Sequence, residues 1–345
     1  MSGTDITRNA LGLDGFAFVE FTGPDTDAMA GQLEALGFTA VARHPMRGLT
    51  LFRQGTVNFV LNAAGSPHAA RFAAVHGPSA NGMGFRVENA AKAYDLALTH
   101  GAVAADTSQS AFGDVPALQG IGGSLLYLID SDPFAGWAKL GDADTGVGFI
   151  EIDHLTHNVA RGQMRTWSSF YAQVFGFEEQ KYFDIKGQAT GLFSQAMIAP
   201  DGRIRIPLNE SQDDASQIEE FLRQYNGEGI QHIALSTDDI YATVEALRAR
   251  GVKLQDTIGA YYDLVDKRVP NHAEDLERLR KNCILVDGSV EDGILLQIFT
   301  ENTFGPIFFE IIQRKGNAGF GNGNFQALFE SIELDQIRRG VIKVA

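Results

Sequence analysis

Two histidines and one glutamate stand at even intervals along a chain of 345 residues: His154, His232 and Glu310, each 78 residues from the next. All three fall in runs that read as strands: IDHLTHNV (152–159), GIQHIALS (229–236) and the apolar IFFEII (307–312). Glu310 is the most telling. A carboxylate inside a β-branched and aromatic strand costs several kcal/mol if left unpaired, so it must meet a cation, stay protonated or face a polar cavity. Alternation puts Glu310 on one face with Phe308 and Ile312 and turns Phe309 and Ile311 to the other. Imidazole suits first-row transition metals, and a carboxylate adds charge. Two histidines and one carboxylate on one face leave up to three octahedral positions open. That is the ligand set of non-haem Fe(II) oxygenases, which need those positions to hold substrate and O2 together. A lone strand histidine is more often structural, and His68, His76, His100, His157 and His272 are read that way. The weight rests on three suitable residues in corresponding strands.

The elements that must position them form a repeat. In the first half a strand (13–21) leads to a helix (25–37) that has an N-cap candidate, helical apolar spacing and a closing glycine. Short strands follow over 38–43, 49–54 and 57–62, then a helix (68–76), a strand (82–87), a helix (89–101) and a strand (121–130). The second half repeats the order: strand 152–159, helix 165–176, strands 177–183, 191–198 and 203–208, helix 217–224, strand 229–236 and helix 239–251. LEALGFTAVAR (33–43) matches FYAQVFGFEEQKY (170–182) at the Gly-Phe step, and VENAAKAYDLALTHGA (87–102) matches TDDIYATVEALRARGV (237–252). A repeat of this length sets the architecture. The expected fold class is α+β, with paired βαβββ modules forming two open-barrel domains, helices on their outside and a C-terminal helix over 324–339. The polar, Gly/Asp-rich 136–148 stretch separates a first domain (1–140) from a second (150–345). Residues 261–281 read as an irregular polar insertion. Asn282–Val286 reads as a buried strand carrying Cys283, and Glu301–Pro306 as the turn before the Glu310 strand.

Aligning the halves sets His154 opposite Gly15, His232 opposite Gly82 and Glu310 opposite Tyr127. All three candidate ligands vanish together, so the first half is expected to be a metal-free copy that supports the second.

Composition narrows the partners. The formal net charge of −15 and pI near 4.9 argue against nucleic acid or an anionic membrane, which call for a basic face. The single cysteine excludes an intrachain disulfide framework and fits a reducing cytoplasm. No run of about 20 apolar residues offers a membrane span. The N-terminal MSGTDITRNALG lacks the basic and apolar regions of a secretory leader.

At these residues the sequence resembles the 4-hydroxyphenylpyruvate dioxygenases, enzymes of the vicinal-oxygen-chelate superfamily. The passages that carry the resemblance are IDHLTHNV, FDIKG (183–187), RIPLNE (205–210), GEGIQH (227–232), LLQIF (295–299), FFEIIQRKG (308–316) and GFGNGNFQALFESIE (319–333). They occur in the family's order over nearly the whole chain. The resemblance implies one Fe2+ per chain held by His154, His232 and Glu310. It also implies a reaction of 4-hydroxyphenylpyruvate with O2 giving homogentisate in tyrosine breakdown, and usually an oligomer. It places Ser194, Asn209, Gln217, Gln231, Gln297, Phe299, Phe308, Phe320 and Phe325 around the substrate, with Gln231, Gln297 and Phe325 nearest the chemistry.

Gln231 poses a puzzle, because alternation turns it away from the face His232 uses unless the strand bulges there. The terminal helix, led by GFGNGN, is expected to act as a lid that excludes water. Three other readings compete. 4-Hydroxymandelate synthase uses the same fold, iron and substrate but oxidises the benzylic carbon. Extradiol ring cleavage also uses two histidines and a glutamate. A non-catalytic ligand-binding relative would have no need of open iron sites.

Overall fold

The computed structural model describes residues 9–144, 146–257 and 259–342. Most of the N-terminal stretch read above, residues 1–8, lies outside them. The first half comprises β1 (Leu13–Thr22), α1 (Thr26–Ala35), β2 (Thr39–Arg43), β3 (Leu49–Gln54), β4 (Val57–Asn62), α2 (Pro67–His76), β5 (Ser79–Val87), α3 (Ala90–Thr99), β6 (Ala117–Gln119), β7 (Leu125–Ile129) and β8 (Ala138–Lys139). The second comprises β9 (Phe149–Val159), α4 (Met164–Phe175), β10 (Glu178–Lys186), β11 (Gly191–Ile198), β12 (Arg205–Ser211), α5 (Gln217–Tyr225), β13 (Gly229–Thr237), α6 (Ile240–Ala249), α7 (Gly259–Tyr262), α8 (Val265–Arg268), α9 (Leu276–Asn282), β14 (Leu285–Ser289), β15 (Gly293–Phe299), β16 (Phe308–Lys315) and α10 (Asn322–Arg338).

The strands form two curled eight-stranded sheets, β6-β7-β5-β1-β4-β3-β2-β8 and β10-β11-β12-β9-β13-β16-β15-β14. This is the α+β architecture of paired modules expected from the repeat, and the vicinal-oxygen-chelate-like fold that the family resemblance implies. The same local chemistry starts corresponding helices: Asn89 caps α3 by accepting the Lys92 N–H, and Asp239 caps α6 by accepting the Ala242 N–H. One apolar core runs through both halves, with Phe21 and Phe59 packed on Phe304 and Phe309, and Phe85 on Phe175 and Phe177. Gln54 fixes the approach to β9. Its buried Oε1 accepts the N–H groups of Val147, Gly148 and Phe149, and its Nε2 donates to the Leu36 carbonyl.

Four expectations need correction. Ile121–Gly123 is a 3-10 turn, not strand, because Gly122 and Gly123 take positive φ of 59° and 82° before β7 begins at Leu125. The 261–281 insertion is not irregular; it contains short helices, of which α9 is capped by Asp275 and buries Leu279 and Asn282. Cys283 is not in a strand. It ends α9 in the left-handed region, and the apolar run that follows pairs only from Leu285.

The fourth concerns the repeat. β1 pairs with β5 as β9 pairs with β13, and the registers set His154 opposite Ala234 and Phe18 opposite Gly84, one residue pair in each half. His154 therefore corresponds to Phe18, not Gly15. Gly15 lies in a register shift near the start of β1, so counting from the strand start slips by three positions. His232 does correspond to Gly82, and Glu310 to Tyr127.

Candidate metal centre

Three adjacent strands bring the candidate ligands together. β13 lies between β9 and β16 in the sheet, so His154, His232 and Glu310 arise from three neighbouring strands. Glu310 Oε2 lies 3.2 Å from His154 Nε2 and 3.4 Å from His232 Nε2. One ligand atom from each residue falls within 4.8 Å of the others, and all three side chains are buried. Among the described residues this is the one group of its kind.

The electrostatics fit a cation. Burial alone would raise the proton affinity of Glu310, but the two histidines outweigh it and hold its pKa down at about 2. Burial opposes charge on His154, yet Glu310 and Asp153 raise its pKa. Burial and the neighbouring His154 lower that of His232 despite Glu310.

Neighbours orient both rings. His154 Nδ1 donates to Asp153 Oδ1 at 2.8 Å, and His232 Nδ1 donates to Gln231 Oε1 at 2.9 Å. The Thr156 hydroxyl meets His232 Nε2 at 2.9 Å. Each Nδ1 is thereby committed as a donor, so Nε2 is the nitrogen that a metal would take in place of a proton. Glu310 Oε1 accepts from Gln297 Nε2 at 2.7 Å. Phe308 stacks on His232 with centroids 4.8 Å apart, and Phe320 meets His154 edge-on at 5.5 Å.

The expected pocket residues divide into two groups. A cavity of about 40 Å³ is lined by the three ligands with Thr156, Phe183, Ser194, Asn209, Gln297, Phe299, Phe320, Phe325 and Leu328. Gln217, Gln231 and Phe308 line a separate outer cleft beside α5 and α10. Asn209 keeps one buried carbonyl oxygen without a partner, a free acceptor at the cavity wall. The position of Gln231 has a simple cause. The β9–β13 register slips between Ile230 and His232, leaving Gln231 as the extra residue of a bulge, so it reaches the same ring as its neighbour.

α10 borders this cavity with Phe325 and Leu328 and is held by hydrogen bonds along its length, among them three sets near the site and its far end. Asp287 accepts the N–H groups of Gly323 and Asn324 at its start. Asn324 Nδ2 donates to Gln297 Oε1 at 2.8 Å. Glu333 accepts the N–H groups of Gln188, Ala189 and Thr190 and the Thr190 hydroxyl. Gly321 is required where the lead passes Gln297: its φ is +66°, and a Cβ there would stand 2.6 Å from Gln297 Oε1.

Comparison with known proteins gives the same assignment. A family model described as hydroxyphenylpyruvate dioxygenase, HPPD, N-terminal matches residues 7–145, and one described as the glyoxalase/bleomycin resistance protein/dioxygenase superfamily matches 151–264. The 4-hydroxyphenylpyruvate dioxygenase of Legionella pneumophila (strain Corby) is 53% identical over 97% of this chain and 98% of its own. That of Pseudomonas aeruginosa is 55% identical over 97% and 98%. The chain belongs to the 4-hydroxyphenylpyruvate dioxygenase family. A solved mutant of 4-hydroxymandelate synthase from Streptomyces coelicolor shares the fold, with a TM-score of 0.84 at 31% identity over 94% of this chain and 99% of that one.

Four groups at this family member's site escaped the sequence reading: Asp153, Thr156, Arg314 and Asn324. The first two lie inside the motif that supplies His154, so a search for what orients each ligand would have reached them. Arg314 and Asn324 lie in the quoted FFEIIQRKG and GFGNGNF passages, but only their tertiary partners give them a role.

Proposed function

We propose that this chain is an Fe(II)-dependent 4-hydroxyphenylpyruvate dioxygenase, converting 4-hydroxyphenylpyruvate and O2 to homogentisate and CO2 in tyrosine breakdown. The observation that carries the reading is the buried His154–His232–Glu310 cluster opening on the Gln297/Phe299/Phe325 cavity in a chain of this family. The donor set fits the ion: two acceptor-form imidazole nitrogens and one ionised carboxylate. When bound, Fe(II) supplies electron exchange with O2 and a template for the keto acid at positions the three side chains leave open.

The residues do the rest. Phe299, Phe320 and Phe325 give the aromatic ring an apolar enclosure, while Ser194, Asn209 and Gln297 offer it uncharged hydrogen bonds. Gln297 also holds Glu310 in place. Gln231 orients His232, and it borders the outer cleft with Gln217 and Phe308 as an approach to the site. Phe325 and Leu328 of α10 border the cavity, so movement of this helix would admit an aromatic keto acid and its return would exclude water. The reading includes residues 1–140 as a supporting domain without metal and 150–345 as the catalytic one. It also takes the chain to work as a homo-oligomer in the cytoplasm. Membrane-crossing helices are absent among the described residues.

The likeness to the Streptomyces coelicolor protein sustains one second reading, 4-hydroxymandelate synthesis. Incubating the Fe(II)-loaded chain with 4-hydroxyphenylpyruvate and O2 and identifying the product decides between them. Homogentisate with one CO2 per O2 is expected. Hydroxymandelate would transfer the assignment, and no oxidised product would overturn both.

A further inference from the structure

We propose that Arg314 is a positioning residue that binds the metal centre to the hinge of α10. The inference rests on the metal reading above and adds a residue to it. Arg314 lies on β16, on the Glu310 face by alternation. Its Nε and Nη2 donate to the two Asp153 oxygens at 2.6 and 2.8 Å, and Asp153 Oδ1 in turn accepts the His154 Nδ1–H hydrogen bond at 2.8 Å. Its Nη1 donates to the carbonyl oxygens of Asn317 at 3.2 Å and Gly319 at 2.5 Å, in the lead to α10. The guanidinium carbon stands 5.8 Å from the Phe320 ring centre, and Phe320 abuts His154.

One side chain thus supports the ligand by two routes. Through Asp153 it fixes the tautomer and tilt of His154; through the 317–319 carbonyls it places Phe320 against the same ring. The task needs a planar fork with donors on both edges. A lysine ammonium cannot grip both carboxylate oxygens and reach two carbonyls behind it. Arg205 does not substitute, since it lies 3.7 Å from Asp153 and its Nε has no partner. Seating a metal on His154 therefore orders the α10 lead, and loosening that lead weakens the metal site by the same factor.

The test uses the full chain as wild type, Arg314→Met and Arg314→Lys. Fe(II) affinity is measured anaerobically by competition with a chromophoric chelator, and amide hydrogen exchange is followed across 316–328 with and without Fe(II). Arg314→Met is expected to weaken Fe(II) binding by about 10- to 100-fold, the usual cost of losing a group that orients a ligand. Arg314→Lys should recover only part of that. Fe(II) should slow exchange at 317–320 in the wild type but not in Arg314→Met. Wild-type affinity in Arg314→Met, or slowing that persists in it, overturns the proposal. If Arg314→Met shows no cooperative melt, Arg314→Lys carries the same comparison, and wild-type behaviour in both readouts overturns it equally. A wild-type chain that takes up no Fe(II) removes the metal reading and this one with it. Wild-type uptake with unaltered variants removes this one alone.

Discussion

Asn324 on α10 donates from Nδ2 to Gln297 Oε1 at 2.8 Å, and Gln297 Nε2 in turn donates to Glu310 Oε1 at 2.7 Å. A residue of α10 is therefore two hydrogen bonds from the carboxylate of the candidate ligand Glu310. Replacing Asn324 by Ala leaves Gln297 free to rotate away. Small displacements of positioned groups are costly in catalysis, so kcat should fall by roughly 10- to 100-fold, a larger loss than that in Fe(II) affinity, which weakens as Gln297 ceases to steady Glu310. Steady-state kinetics beside a metal titration check this. Equal losses in both would place Asn324 in the fold and not in substrate positioning.

Each of His154→Ala, His232→Ala and Glu310→Ala should reduce bound iron from one per chain to a small fraction. Two remaining ligands leave a buried ion under-coordinated, and it dissociates. Elemental analysis after desalting is sufficient. Iron retained at full stoichiometry with all three replaced would locate the metal elsewhere.

Glu333 latches the far end of α10 to the 187–190 loop. Burial works against its charge, but the Thr190 hydroxyl and the N–H groups of 188–190 prevail and hold its pKa below the ordinary glutamate value. A depressed folded pKa means the contribution is present above the unfolded value of about 4.3 and is lost as pH falls through the folded one. Glu333→Gln should speed amide exchange in α10 by roughly tenfold or more at neutral pH, as expected for losing bonds to a charged acceptor. In the wild type the same loosening should appear only on acidification. Removing Phe325–Ala345 altogether should depress turnover more than iron binding.

His157, which faces Tyr171 with its Nε2 2.7 Å from the hydroxyl, is driven by burial to a pKa of about 3. The unfolded imidazole titrates near 6.5, so the unfolded chain binds the extra proton first. Stability should decline by about 1.4 kcal/mol per pH unit from that point down toward the folded value. His157→Gln, which keeps a partner for Tyr171, should flatten this limb in denaturant titrations between pH 6 and 4. An unchanged limb would assign acid lability to other groups.

The ligand triad was legible because its chemistry is unusual where it occurs: a carboxylate in IFFEII has few explanations, and its spacing from two strand histidines repeats. The strand and helix order was legible for a similar reason, since each half checks the other. The lost pieces depended on backbone events that side-chain pattern does not carry. The bulge at Gln231 turns a residue that alternation sends away toward the ring it serves. The turn at Gly122 and Gly123 shortens an apolar strand from within. Cys283 heads an apolar run yet closes a helix. Arg314 and Asn324 gain meaning only from partners that are close in space, such as Asp153 and Gln297.

In the first half an aromatic ring takes the place that corresponds to His154. Phe18 stands where the second half has His154, packed on Tyr127 and Phe112, and Glu20 beside them is buried and held by Asn62 and Tyr127. No single substitution there can recover an ion-binding cup, since a ring must be removed, an imidazole added at Gly82 and the tyrosine traded for a carboxylate, all within one packed interior.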